Sequence, residues 1–293
     1  MIEKPFKWAF VGDLQIPYED KRAVALFLKV MKAWKPDAID LVGDIDDQLE
    51  YSRFSDGTTD EFFNQIKNNQ KIRDKEEAAF NAAVEAKKET LPELTPFQLQ
   101  DLDYLPFVKA AADGAKEFYT TVRKQHPKAN IHASLGNHEM RVWAYLDRKA
   151  PEIIGKITPE FLWGLDNLGI SWEMYEQPPF ERFAGIFVHH GATTSTTGLA
   201  VKSDIENYNV SLVRGHDHRG GVVYKSHPIS KTSLVGMGTG HLCDPRGYGL
   251  KYTINPSWEQ GFGIGYVVDG KAHLQFVPMR DYTVVLDGRI YKG

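Results

Sequence analysis

Apolar residues recur with two different periods along this chain, and the switches between periods mark its elements. Trp8, Ala9, Phe10 and Val11 form a short apolar run, which predicts a strand over residues 7–11. Ala23, Leu26, Phe27, Val30 and Met31 then recur at helical spacing, predicting a helix over residues 19–34. A second apolar run over 38–42 ends at Gly43-Asp44. Strand, helix, strand reads as a βαβ unit whose acidic residues sit at the carboxyl ends of its strands, where open α/β sheets place their ligands.

Residues 58–125 are charged, alanine-rich and helical in pattern, with Phe62, Phe63, Ile66, Ile72, Ala79, Phe80, Ala83 and Val84 drawing an apolar stripe. Pro92 and Pro96 interrupt it before a further helix over 106–124. This stretch is read as a helical insertion within a single domain spanning 1–293. A packed accessory lobe is the favoured role, and a cap or a dimerisation arm is the alternative. Phe118 and Tyr119 suit a core as well as a binding platform.

Strand patterning resumes over 131–135, leading into Gly136-Asn137-His138, and Val142, Trp143, Tyr145 and Leu146 mark the helix that follows. Later strands are predicted over 185–189, 211–214, 233–236, 263–268 and 274–277.

Composition narrows the class. The chain has 293 residues, 42% of them hydrophobic, which suffices for a sizeable core. Its formal charge of −4 argues against a general electrostatic grip on nucleic acid and leaves only a local basic groove. The lone Cys243 excludes an intrachain disulfide, the start lacks the layout of a signal peptide, and no apolar run reaches the length of a membrane span. A reducing cytoplasm and no membrane partner are the expectation.

The chemistry lies in short segments: Gly12-Asp13-Leu14-Gln15, Gly43-Asp44-Ile45-Asp46-Asp47, Gly136-Asn137-His138-Glu139, His189-His190-Gly191 and Gly215-His216-Asp217-His218. Each offers a hard oxygen or an imidazole nitrogen, an inventory suited to two divalent cations that share one carboxylate. In order and content the set resembles the calcineurin-like metallophosphoesterases, whose pattern is D-x-H, G-D-x-x-D, G-N-H-E/D, x-H-G and G-H-x-H. The chain departs from that pattern at Gln15, which stands where the family has histidine. An amide oxygen is a weaker donor than imidazole and favours harder ions, or else serves by hydrogen-bonding a neighbouring ligand. The glycine-rich stretch 236–265, holding Trp258-Glu259-Gln260-Gly261-Phe262, and the early Ile16-Pro17-Tyr18-Glu19-Asp20 look like phage-type members.

The resemblance implies a four-layer α/β/β/α sandwich with the metals at one edge. It implies a first metal held by Asp13, Gln15, Asp44 and His218, and a second held by Asp44, Asn137, His190 and His216. Manganese is the expected ion, with magnesium, zinc or iron as alternatives, and a metal-activated hydroxide would attack the phosphoester. His138 would protonate the leaving oxygen, oriented by Asp47, although Asp46 competes for that role and an Asp after a strand is often a helix cap. His190, beside Gly191, is preferred to His189, whose side chain should point to the opposite side of its strand. Arg141 and Arg219 are candidates to grip phosphate, each equally suited to a surface salt bridge, and His241 is a candidate substrate contact. The reading leans toward a phosphodiesterase or nuclease acting on nucleic acid or nucleotides, in a host cytoplasm if phage-encoded. Its rivals are a phosphomonoesterase or protein phosphatase, and a metal-binding scaffold without catalysis; the sequence leaves the oligomeric state open.

Overall fold

The computed structural model describes residues 4–48, 51, 112–175, 177–195, 199–245 and 257–293. Most of the helical stretch expected over 58–125 lies outside the described residues.

The first strand, β1 (Phe6–Val11), shows why the sheet has two buried faces. Trp8 and Phe10 point to one side, Ala9 and Val11 to the other, and all four are buried. β2 (Ala38–Leu41) repeats the alternation, with Ala38 on the first side and Ile39 and Leu41 on the second. Strands buried on both faces must be covered on both. The helix layer is supplied by α1 (Lys21–Trp34), α2 (Asp113–Gln125) and α3 (Arg141–Lys149).

Helix α1 starts at Asp20, whose carboxylate accepts the backbone N–H groups of Arg22 and Ala23, and stops at Lys35 in the left-handed conformation. Its buried residues Ala23, Leu26, Phe27, Val30, Met31 and Trp34 fall on one face, each large one contributing about 1.5–3 kcal/mol by leaving water. Ala115, Phe118, Tyr119 and Val122 of α2 enter the same core, so the aromatic pair is core here.

Six strands form the first sheet, in the order β11-β10-β1-β2-β3-β4. β1, β2, β3 (Asn130–Ser134) and β4 (Ser171–Glu173) are parallel, while β10 (Gly261–Val268) and β11 (Lys271–Pro278) extend it antiparallel. The second sheet runs β5-β6-β7-β9-β8, with β6 (Ile186–His189), β7 (Ser211–Arg214) and β9 (Thr232–Thr239) parallel. β5 (Phe180–Glu181) and β8 (Gly220–His227) are its antiparallel edges. Trp8, Phe10, Ala38 and Val42 meet Ile186, Val188, Val213 and Met237 in an apolar layer between the sheets. A helix over Val201–Asn207 covers the outer face of the second sheet through Val201 and Ile205. The order is α/β/β/α, as expected, and among the described residues no helix is long and apolar enough to cross a membrane.

One charge interrupts the inter-sheet layer. Asp40 of β2 is fully buried; the Trp8 indole N–H and Arg182 donate to it, with Arg182 Nε at 2.7 Å. Burial pushes this carboxyl up, and the Arg182 guanidinium opposes the shift. Arg182 also donates to Asn130 Oδ1 at 2.7 Å, so one side chain from beside β5 spans two strands of the other sheet. Removing it strands a buried carboxylate. Arg182→Met is expected to cost about 3 kcal/mol near pH 8 in urea denaturation. Because a raised native pKa favours the protonated group, that cost should shrink as pH falls toward 5. A cost independent of pH would assign the loss to packing alone.

Candidate metal centre

The loops after β1, β2, β3, β6 and β7 converge at one end of the two sheets and carry the candidate ligands. Their backbones are unusual: Asp13, Gln15, Asp44, His216 and His218 all have positive φ, between 50° and 73°. Left-handed backbone at non-glycine residues costs about 1–3 kcal/mol each, and such strain gathers at functional sites.

Each loop is pinned by bonds to the next. Asp13 N donates to Gly43 O at 2.9 Å and Gln15 N to Asp44 O at 2.8 Å, which ties the first loop to the second. Glu139 ties the second to the third: its carboxylate accepts backbone N–H groups from Asp44, Ile45, Asp46 and Gly136 at 2.7–3.1 Å. Glycine is required where the loops touch. A Cβ on Gly136 would lie 2.2 Å from Asp44 Oδ1, and one on Gly43 2.5 Å from His190 Nδ1.

Two donor sets result. In one, Asn137 Oδ1 lies 2.7 Å from His216 Nδ1 and 3.2 Å from His190 Nε2, and His190 Nε2 lies 3.2 Å from Asp44 Oδ2. In the other, His218 Nε2 lies 3.2 Å from Asp13 Oδ1 and 3.1 Å from the Gln15 amide nitrogen. Ligand atoms about 2.1 Å from one ion in tetrahedral or octahedral array stand roughly 3.0–3.4 Å apart, which both sets approximate. Asp44, His190 and His216 also form a group whose ligand atoms lie within 4.8 Å of one another.

The tautomers suit the same purpose. His190 Nδ1 donates to Val42 O at 2.7 Å, leaving Nε2 as the nitrogen that faces the set. His216 Nδ1 and His190 Nε2 face each other at 3.3 Å, an arrangement that calls for a proton or a cation between them. Burial opposes charge on His190, yet Asp44 and Asp13 pull the ring up to about 9, while burial and the His190 charge push His216 down to about 4. The carboxylates thus demand positive charge inside the cluster. Gln15 Oε1 is buried without a hydrogen-bond partner, and Gln15 Nε2 faces His218 Nε2. Rotation of this amide by half a turn presents its oxygen to the set. The residues present fit two divalent cations.

Beside the Asp44 set lies a further pair. Asp47 Oδ2 accepts from His138 Nδ1 at 2.8 Å, and His138 Nε2 lies 3.7 Å from Asp44 Oδ2. Asp46 points elsewhere, accepting from the Trp163 indole at 2.9 Å. Arg141 donates to Asp47 at 2.6 Å and its Nη2 lies 3.0 Å from His138 Nε2. Arg219 lines the cleft and donates to Ser257 at 2.7 Å. His241 is only 2% exposed and stacks behind His218, its Nδ1 3.2 Å from Cys243 Sγ. His189 faces Asp204 at 3.4 Å, away from the centre.

Three contributors escaped the sequence reading. Glu139 was inside a quoted segment, but its four N–H partners belong to loops distant in sequence. Arg214, fully buried, donates to Asp204 at 2.7 Å and to the carbonyl oxygens of Thr193 and Gly215. Trp258 lines the cleft with its ring 4.1 Å from that of His218.

No family model matches the chain. It is similar to the Gene 54 protein of Mycobacterium phage D29, at 22% identity over 96% of this chain and 97% of that protein. The Gene 54 protein of Mycobacterium phage L5 is likewise 22% identical over 96% of this chain and 97% of its own length. Among solved structures, a phosphoesterase from E. coli, Yfce, gives a TM-score of 0.35 at 12% identity, covering 97% of this chain and 96% of that one. A dimetal phosphatase from Danio rerio gives 0.39 at 11% identity, covering 93% and 96%.

Two substitutions probe the centre. Gln15→His places an imidazole where an amide now faces His218, at a backbone angle that His218 itself tolerates. Calorimetric titration of the metal-stripped protein should then show tighter zinc binding at one of two sites; unchanged zinc binding would place Gln15 outside the ligand set. Glu139→Gln leaves one or two buried N–H groups unmatched and is expected to cost about 2–4 kcal/mol in urea denaturation.

Proposed function

We propose that the protein is a calcineurin-like, dinuclear-metal phosphoesterase that cleaves phosphodiesters, with nucleic acid or nucleotide esters as the substrate class. The observation that carries this reading is the pair of donor sets, Asp44, Asn137, His190 and His216 in one and Asp13, Gln15 and His218 in the other, with the His138–Asp47 pair beside Asp44. Asp13, Gln15, Asp44 and His218 would hold one ion, and Asp44, Asn137, His190 and His216 the other. Manganese suits the oxygen-rich set, and magnesium, zinc or iron are the alternatives. Such a pair, when bound, supplies Lewis acidity to phosphoryl oxygens and a nucleophile from water near neutral pH.

The chain's own residues supply the rest. Asp47 fixes the His138 ring through Nδ1, so Nε2 is the atom that delivers a proton to the leaving oxygen. Burial and the Arg141 guanidinium work against charge on that ring, but Asp44 and Asp47 outweigh them and raise its pKa, which favours the protonated form. Arg219 lines the cleft, where its guanidinium can reach an incoming phosphate, while Arg141 is committed to Asp47 and stands against His138, which suits it to holding that pair. An alkyl phosphoester expels an alkoxide and needs this acid more than an ester with a good leaving group does, which favours alkyl esters such as those of a sugar–phosphate backbone. The likeness to phage proteins supports action inside a host cell.

Metal-stripped protein given manganese should hydrolyse bis(p-nitrophenyl) phosphate faster than p-nitrophenyl phosphate, and His216→Ala should abolish both. Faster monoester turnover would make the protein a phosphomonoesterase; no turnover with metal still bound would favour a non-catalytic scaffold. His138→Ala should lose about 10²–10⁴-fold on esters with alkoxide leaving groups and much less on p-nitrophenyl esters. Equal losses on both would deny His138 the acid role.

A further inference from the structure

The cleft over the donor sets holds about 360 Å³ and is lined by His138 and Asn137, by Gln15 and His218, and by Trp258 and Arg219. That volume lies at the small end of ligand pockets and suits a single nucleotide unit. The lining has a direction. His138 directly follows Asn137, a member of one donor set only, whereas Trp258 packs on His218, a member of the other. An ester oxygen protonated by His138 leaves from one side, so an organic group against Trp258 is a different substituent of the same phosphorus.

Trp258 is unlike its surroundings. The lining is otherwise polar, yet here a large aromatic side chain stays only half buried. Its indole N–H makes no hydrogen bond with any described residue. The ring is braced rather than free: His218 lies edge-on at 4.1 Å and His241 at 5.6 Å, and His241 is itself held against Cys243. A spacer that merely supported His218 would gain most by full burial. A braced, half-exposed indole in a polar cleft is instead a surface on which a flat ring can stack.

We propose that Trp258 is a stacking platform for a nucleobase carried on the non-leaving side of the phosphodiester. This rests on the phosphoesterase reading and sharpens it, because a monoester has no second organic group to place there. The base is bound by its face, so the platform tolerates different bases.

The test compares two diesters with one leaving group: thymidine 5′-(p-nitrophenyl phosphate) and methyl p-nitrophenyl phosphate, on the manganese-loaded full chain. The thymidine ester is expected to show a KM at least about tenfold lower. Trp258→Ala should erase most of that ratio, and Trp258→Phe should keep part of it. Equal KM values for the two esters, or a ratio that survives in Trp258→Ala, would overturn the proposal while leaving the phosphoesterase reading intact. Hydrolysis of neither ester would instead defeat that reading. Calorimetry with thymidine 5′-monophosphate then decides the platform: binding weakened by Trp258→Ala and partly restored by Trp258→Phe supports it, and binding unaffected by either rejects it.

Discussion

The carboxylate of Glu139 is the constraint on which the centre depends. It stands between the loops after β2 and β3 and accepts four backbone N–H groups, three from Asp44-Ile45-Asp46 and one from Gly136. One carboxylate meets all four of these N–H groups, and a buried N–H left unmatched costs about 1–3 kcal/mol. Burial and the neighbouring Asp44 carboxylate push Glu139 up to about 6, while the N–H groups pull against the shift. Asp44 is delivered to the set of His190 and His216 because Glu139 fixes the backbone at Asp44 and the two residues after it. Asn137 and His138 follow, since their loop closes on the same carboxylate.

Arg214 plays the converse part in the second sheet. Glu139 is an anion that gathers N–H groups; Arg214 is a cation that gathers carbonyl oxygens from Thr193 and Gly215, flanking the loops of His190 and His216. Its charge is met by Asp204 at 2.7 Å, which keeps a fully buried guanidinium from standing alone. Gly191 is the corollary: its φ is 94°, and a Cβ there would lie 2.4 Å from the guanidinium carbon. Both devices hold strained loops in place by saturating one buried charge with backbone dipoles.

Much of the fold was legible because its parallel strands are short apolar runs that end in glycine or acid. The strand predicted over 7–11 is Phe6–Val11, and that over 211–214 has those bounds. What escaped had no such pattern. β8 begins Gly220-Gly221 and is half exposed, so nothing in its polarity announces a strand until it pairs with β9. β5 is two exposed residues. The candidate ligands could be picked out in the sequence because metal ligation restricts residue type. Glu139, Arg214 and Trp258 could not be given roles, because each acts on backbone or rings brought near only by the fold. His241 shows the opposite case, since a histidine in a glycine-rich loop draws notice for its chemistry while the structure sets it behind His218.

Each donor set straddles the sandwich. Asp44 and Asn137 come from loops of the first sheet, while His190 and His216 come from the second; likewise Asp13 and Gln15 face His218 across the same seam. Glu139 and Arg214 organise loops only within their own sheets. Direct bonds do cross, as when His190 donates to Val42 O and His216 N donates to Asp13, but the spacing between sheets is set by the apolar layer of Trp8, Phe10, Val188, Val213 and Met237. Close-packed interiors transmit changes of even one methylene. The distance between opposing donors is therefore a property of the core beneath them. Ligand chemistry at the end of the two sheets and side-chain volume between them are two ends of one mechanical linkage.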